Sequence, residues 1–182
     1  MNITVYCGAK PGNDNIYMEE AKRLGAWMVS EGHTLIYGGG AVGMMGAVSN
    51  CMLDLGGKCI GVIPRFMVER EWLNVRLSDV VMTETMSERR DIMIEKGDAF
   101  MALPGGSGTL DEISEVICLA GLGKQNKPCI LLNTGGYYEP LRIFYDSMVE
   151  KGFLDKKERG LIFFADTVEN AGEIIHSFYG AN

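Results

Sequence analysis

Two stretches of this chain combine groups that bind anions with groups that stabilise developing charge. The first is Pro104-Gly105-Gly106-Ser107-Gly108-Thr109-Leu110-Asp111-Glu112. Its glycines let the backbone come close to a phosphate, Ser107 and Thr109 add hydroxyl donors, and a helix opening there directs its positive end at the anion. No Gly-Lys pair stands at Walker spacing, so a single phosphate fits better than a triphosphate. Glu112 reads in two ways. Thr109 and Glu112 have the spacing of a capping box, in which the carboxylate bonds back to the Thr109 amide. Alternatively, the carboxylate stands about one helical turn from the anion and faces the sugar of a bound nucleotide. The second stretch is Thr85-Met86-Ser87-Glu88-Arg89-Arg90. Thr85 and Glu88 form a capping box, which starts a helix near Met86. Arg89 falls on an otherwise apolar stripe between Met86 and Met93. It either snorkels, with a packed stem and a wet head, or is aimed at a substrate. Arg90 adds a second positive charge beside it.

A third candidate is Tyr37-Gly38-Gly39-Gly40-Ala41-Val42-Gly43-Met44-Met45-Gly46. Gly38, Gly40 and Gly43 satisfy GxGxxG between a strand and a helix, so Gly40 and Gly43 are candidate phosphate contacts. The loop follows the second strand, where a dinucleotide fingerprint follows the first. About 20 residues on, where an acidic group holds the ribose, the chain reads Val62-Ile63-Pro64-Arg65. The competing reading is a tight turn that needs glycine for steric reasons alone. Glu71 and Trp72 lie in an irregular stretch, 64–77, from which they could reach over a site. His33 and His176 have no partners that suggest catalysis.

The elements that must position these groups read as an alternating α/β chain. Apolar runs at 3–7, 34–37, 60–63, 80–82, 100–103, 130–132 and 161–164 predict seven strands. Helical periodicity over 14–31 and 44–55, and helices opening near Met86, Thr109, Tyr138 and Val168, fill the gaps. Strands apolar on both faces argue for a parallel sheet covered on both sides. Right-handed crossovers then give a Rossmann-like, doubly wound sheet of about seven strands in one domain over 1–182. In such sheets ligands sit beyond the carboxyl ends of the strands.

Composition narrows the function classes. The chain has 182 residues, 47% of them hydrophobic, with 17 Lys and Arg against 24 Asp and Glu for a net charge of −7. That acidity argues against a dedicated nucleic-acid or anionic-membrane binder. No apolar run reaches the ~20 residues of a membrane span. MNITVYCGAK carries neither a basic n-region nor a long apolar stretch, which argues against a secretory signal. Five cysteines without a CxxC pair read as reduced thiols with no metal site, consistent with a cytoplasmic location.

Taken jointly, Tyr37 to Gly46, Gly61-Val62-Ile63-Pro64, Met86-Ser87-Glu88-Arg89-Arg90 and Pro104 to Glu112 resemble the LOG ("lonely guy") family. These are cytokinin riboside 5′-monophosphate phosphoribohydrolases, often mislabelled lysine decarboxylases. The resemblance runs from Cys7-Gly8 through the last helix. It implies Arg89 and Glu112 as catalytic residues, with substrate binding by Gly105, Gly106, Ser107, Gly108 and Thr109. Arg90 stands where the family usually has lysine, and Glu71 falls near a substrate-contacting glutamate. Ser87, Ser107 and Asp111 depart from the histidine, aromatic and second glutamate common there. The resemblance further implies hydrolysis of the N-glycosidic bond of adenosine 5′-monophosphates, N6-modified or plain, without metal or other cofactor. It also implies a homodimer or larger homo-oligomer. A pyridoxal enzyme is argued against, because neither His33 nor His176 is followed by lysine. The alternatives are a non-catalytic nucleotide or cofactor carrier on the same fold and a general AMP nucleosidase.

Overall fold

A computed structural model describes residues 1–68 and 72–180. In chain order the elements are β1 (Asn2–Tyr6), α1 (Asn15–Ser30), β2 (Thr34–Tyr37), α2 (Gly43–Asp54), β3 (Lys58–Pro64), β4 (Asp79–Thr83) and α3 (Met86–Lys96). They continue with β5 (Ala99–Ala102), α4 (Ser107–Gly121), β6 (Cys129–Leu132), α5 (Glu139–Glu150), α6 (Lys156–Arg159), β7 (Ile162–Ala165) and α7 (Val168–Gly180). The seven strands form one sheet in the order β4-β3-β2-β1-β5-β6-β7. Every pair is parallel, with Tyr6 opposite Ala102 and Tyr37 opposite Gly61.

Alternation along the strands builds two cores. Ile3, Val5 and Cys7 of the β1 segment face Leu24, Met28, Val48, Met52 and Ile175, the apolar faces of α1, α2 and α7. Tyr6 faces Met93, Ile113, Val116 and Tyr145 of α3, α4 and α5. Helices therefore cover both faces of the sheet, the condition for strands that are apolar throughout. A buried bond from the Thr4 hydroxyl to the Met93 carbonyl, at 2.9 Å, ties β1 to α3.

The expected strands appear with ends moved by a residue or two. Two helical details differ. The helix expected near Thr109 begins at Ser107, with Gly106 as its N-cap. The short α6 is additional, opened by a capping box between Asp155 and Glu158. Among the described residues of the stretch 64–77 there is one 3-10 turn, Arg65–Met67. No described helix is long and apolar enough to cross a membrane.

Candidate active site

The strand order reverses between β1 and β5, so the loops leaving these neighbours diverge and open a crevice. A cleft of about 550 Å³ lies there. Its walls are the β1–α1 loop from Cys7 to Asn13, the first residues of α2, Met67, Met86 and Arg89, the β5–α4 loop with the start of α4, and Tyr17 and Tyr137. Gly105, Gly106, Ser107, Gly108, Thr109, Arg89 and Glu112 all line it.

The β5–α4 loop is shaped by close approach. A Cβ on Gly105 would overlap Thr109 Oγ1 and stand 2.9 Å from the Gly8 amide nitrogen, so only glycine lets the two loops meet. Gly106 caps α4 without a side-chain bond. The first amide paired across the turn is that of Leu110, donating to Gly106 O at 3.1 Å. Amides of the preceding first turn lack intrahelical partners and carry the positive end of the helix dipole.

This helix start excludes the capping reading of Glu112. With Ser107 as the first helical residue, Thr109 lies inside α4 and cannot cap it. Glu112 is an interior helical residue, 9% exposed. Its Oε1 stands 3.7 Å from Arg89 Nη2. Arg89 is 5% exposed, so it does not snorkel to solvent. The Thr85 capping bond to the Glu88 amide sets the phase of α3 and turns Arg89 inward. Its Nη1 lies beside Met67 Sδ at 4.0 Å and Met86 Sδ at 3.9 Å. Gly38 at the end of β2 passes beneath the same guanidinium, and a Cβ there would overlap Nη2. A buried guanidinium and a buried carboxylate thus face one another at the cleft floor, each offsetting the other's desolvation. Burial, and then the Glu112 carboxylate, push the Tyr6 hydroxyl above its ordinary pKa.

Other candidates fall elsewhere. Gly40 and Gly43 are not among the residues that line this cleft. Gly40 bridges Leu73, with Ala41 N donating to Trp72 O at 2.8 Å and Asn74 N to Gly39 O at 2.9 Å. That loop thus docks the segment around 72–74. Gly43, at φ 60°, packs under the β1–α1 loop, where a Cβ would overlap the Ala9 carbonyl. Its requirement is steric. Arg90 is also off the cleft wall. It joins α3 to α4 through Glu115 at 2.7 Å and Asp111 at 3.6 Å. The shorter contact is an ion pair without hydrogen-bond alignment. Glu71 lies outside the described residues. His33 and His176 lie away from the cleft.

Sequence reasoning missed the β1–α1 loop, including Lys10 and Asn13, together with Tyr17 and Tyr137. The available signal was positional. Cys7-Gly8 ends the first strand, and a first strand at a switch point flanks the ligand crevice.

The chain's similarities agree with this geometry. The family described as "Possible lysine decarboxylase" matches residues 45–175. A cytokinin riboside 5′-monophosphate phosphoribohydrolase of Oryza sativa subsp. japonica is 43% identical over 165 residues, 91% of this chain and 68% of the relative. The enzyme of the same name from Rhodococcoides fascians is 38% identical over 177 residues, 97% of this chain and 89% of the relative. The Moco carrier protein of Chlamydomonas reinhardtii superposes with a TM-score of 0.76 at 22% identity, over 100% of this chain and 98% of that one, a likeness of fold. By the extent of these matches, the chain belongs to the "Possible lysine decarboxylase" family, alongside relatives named as cytokinin riboside 5′-monophosphate phosphoribohydrolases.

Proposed function

We propose that this protein is a nucleoside 5′-monophosphate phosphoribohydrolase acting on adenosine 5′-monophosphates that carry an N6 substituent. One observation carries the reading: Arg89 and Glu112 stand 3.7 Å apart at the floor of a cleft rimmed by the Gly105–Thr109 loop. The relatives at about 40% identity bear the same activity in their names.

The phosphate does not react. Seated on the first-turn amides of α4, it anchors the ribose and positions C1′. Glu112 follows Thr109 by three residues, about 4.5 Å of helical rise, within reach of the anchored sugar. As the C1′–N bond breaks, its electron pair leaves with the base and positive charge grows on the ribose. The Glu112 carboxylate stabilises that charge and orients a water, whose oxygen adds to C1′ while the proton it gives up ends on the departing base. Arg89 offsets the negative charge on the departing base. The products are free base and ribose 5-phosphate. Met44, Met45, Met67 and Met86 line the cleft, and such flexible thioethers suit an apolar N6 group. Lys10, a lysine on the cleft wall, is exposed, whereas a Schiff-base lysine favours a desolvated pocket.

The same reading extends to a homodimer or larger assembly in the cytoplasm, built from one domain over 1–182. Phe66 and Trp72 are 65% and 69% exposed, apolar surface suited to a second copy. Light scattering on the purified chain tests the assembly, and a monomeric mass contradicts it.

Incubation with AMP and with N6-isopentenyl-AMP, quantifying base and ribose 5-phosphate by chromatography, tests the activity. Faster release from the prenylated nucleotide is expected. Equal rates indicate a general AMP nucleosidase. Binding without release leaves a carrier.

A further inference from the structure

The turn between β6 and α5 reads Asn133-Thr134-Gly135-Gly136-Tyr137-Tyr138. Gly135 and Gly136 adopt φ of 61° and 75°, left-handed conformations that other residues resist. Asn133 fixes the turn, its Oδ1 accepting from the Tyr138 amide at 2.7 Å and its Nδ2 donating to Asp166 at 3.2 Å. The sharp turn delivers two successive tyrosines beneath the β5–α4 loop. Tyr138 donates its hydroxyl to the Leu103 carbonyl at 2.7 Å. Tyr137, on the cleft wall, donates to the Gly105 carbonyl at 2.5 Å. The two carbonyls flank Pro104, which has no amide proton of its own. The Tyr137 ring, 42% exposed, lies edge-on to Tyr138 at 5.0 Å and to Tyr17 at 6.0 Å.

A carbonyl oxygen turned into this loop repels an anion, while a hydroxyl that binds it holds it away and neutralises its dipole. We propose that Tyr137 and Tyr138 are positioning residues that orient the Leu103–Gly105 backbone, so that amides rather than carbonyls meet the substrate phosphate. They set affinity for the 5′-monophosphate without touching the bond that breaks. The inference rests on the monophosphate reading of the cleft and adds two residues that sequence motifs did not single out as part of it.

Tyr137→Phe removes the bond and keeps the ring. A typical net hydrogen-bond contribution corresponds to about a three- to tenfold change in affinity. Calorimetry with AMP and adenosine on the full chain separates phosphate recognition from general damage. Tyr137→Phe is expected to weaken AMP by that factor, leave adenosine within about twofold, and raise KM with little change in kcat, the pattern of lost uniform binding. Tyr138→Phe gives the same split with a lower melting temperature, because Tyr138 is buried. AMP affinity equal to that of the wild type in Tyr137→Phe overturns the proposal. So does an equal loss for AMP and adenosine, or a wild type that does not prefer AMP to adenosine. If the wild type binds AMP through its phosphate but releases no base, the hydrolase reading fails and the binding comparison still decides this one. If the wild type releases base and Tyr137→Phe binds AMP normally, this inference alone fails.

Discussion

Gly38→Ala is the smallest change that reaches the charged pair. Gly38 is not among the positive-φ residues, so alanine fits its backbone. The new Cβ would overlap Arg89 Nη2, lie 3.4 Å from Arg89 Cζ and 3.1 Å from Met45 Sδ. Carbon contacts settle near 3.5 Å, so the guanidinium must move by at least about 1 Å. It is the far end of a flexible side chain, so the fold yields cheaply, by about 1 kcal/mol or a melting-temperature drop of about 2–4 °C. The same movement displaces the charge that faces Glu112 across 3.7 Å. Misplacement of a positioned group by about 1 Å costs on the order of 10²-fold in rate, about 2.7 kcal/mol in barrier. The assay is base release from N6-isopentenyl-AMP, with a thermal melt on the same preparation. A rate down about a hundredfold with a melt within 4 °C of wild type is expected. Full activity in Gly38→Ala refutes the reasoning, as does inactivity that merely follows unfolding.

Two further outcomes follow from groups outside the cleft. Arg90→Gln breaks the α3–α4 pairing with Glu115 and Asp111. It should lower stability by about 1 kcal/mol and leave KM for AMP within about twofold, whereas a tenfold rise in KM would return Arg90 to the substrate. His33 has both ring nitrogens buried without a hydrogen-bond partner. Burial first, then the N-terminal amine and His176, depress its pKa, against an opposing effect of Glu31. The unfolded chain therefore binds the proton more readily, so this stability is present above about pH 6.5 and is lost as pH falls toward the lower folded value. Melting temperatures at pH 7.5 and 5.5 should diverge more in wild type than in His33→Gln, and equal slopes contradict this.

The parts of the site legible in the sequence are those whose chemistry is continuous along the chain. Pro104 to Glu112 and Met86 to Arg90 each hold anion-binding or charged groups on a strand end or helix start, and both reach the cleft. Thr85 announced the phase of α3 correctly, because its cap is local. Thr109 announced a false start for α4. A capping box was available there, but Gly106 three residues upstream took the N-cap in the turn that packs against Gly8. The GxGxxG loop is also shaped by distant neighbours. Its spacing reports close approach: a Cβ on Gly38 would overlap Arg89 and one on Gly43 would overlap Ala9, both outside the motif's own short window. The β1–α1 loop and Tyr137 were missed because only the strand order, with β1 beside β5, brings them to one crevice.

The most direct test of the central claim is turnover by Glu112→Gln. Glutamine keeps the size and the helix, and removes only the charge opposite Arg89. Wild type should release base and ribose 5-phosphate from N6-isopentenyl-AMP, and Glu112→Gln should fall by 10² or more, at least about 2.7 kcal/mol in barrier, with a cooperative melt, lowered by the loss of the charge facing Arg89, showing that it still folds. Full activity in Glu112→Gln, or no release by wild type, would contradict the assignment of this cleft to N-glycosidic hydrolysis.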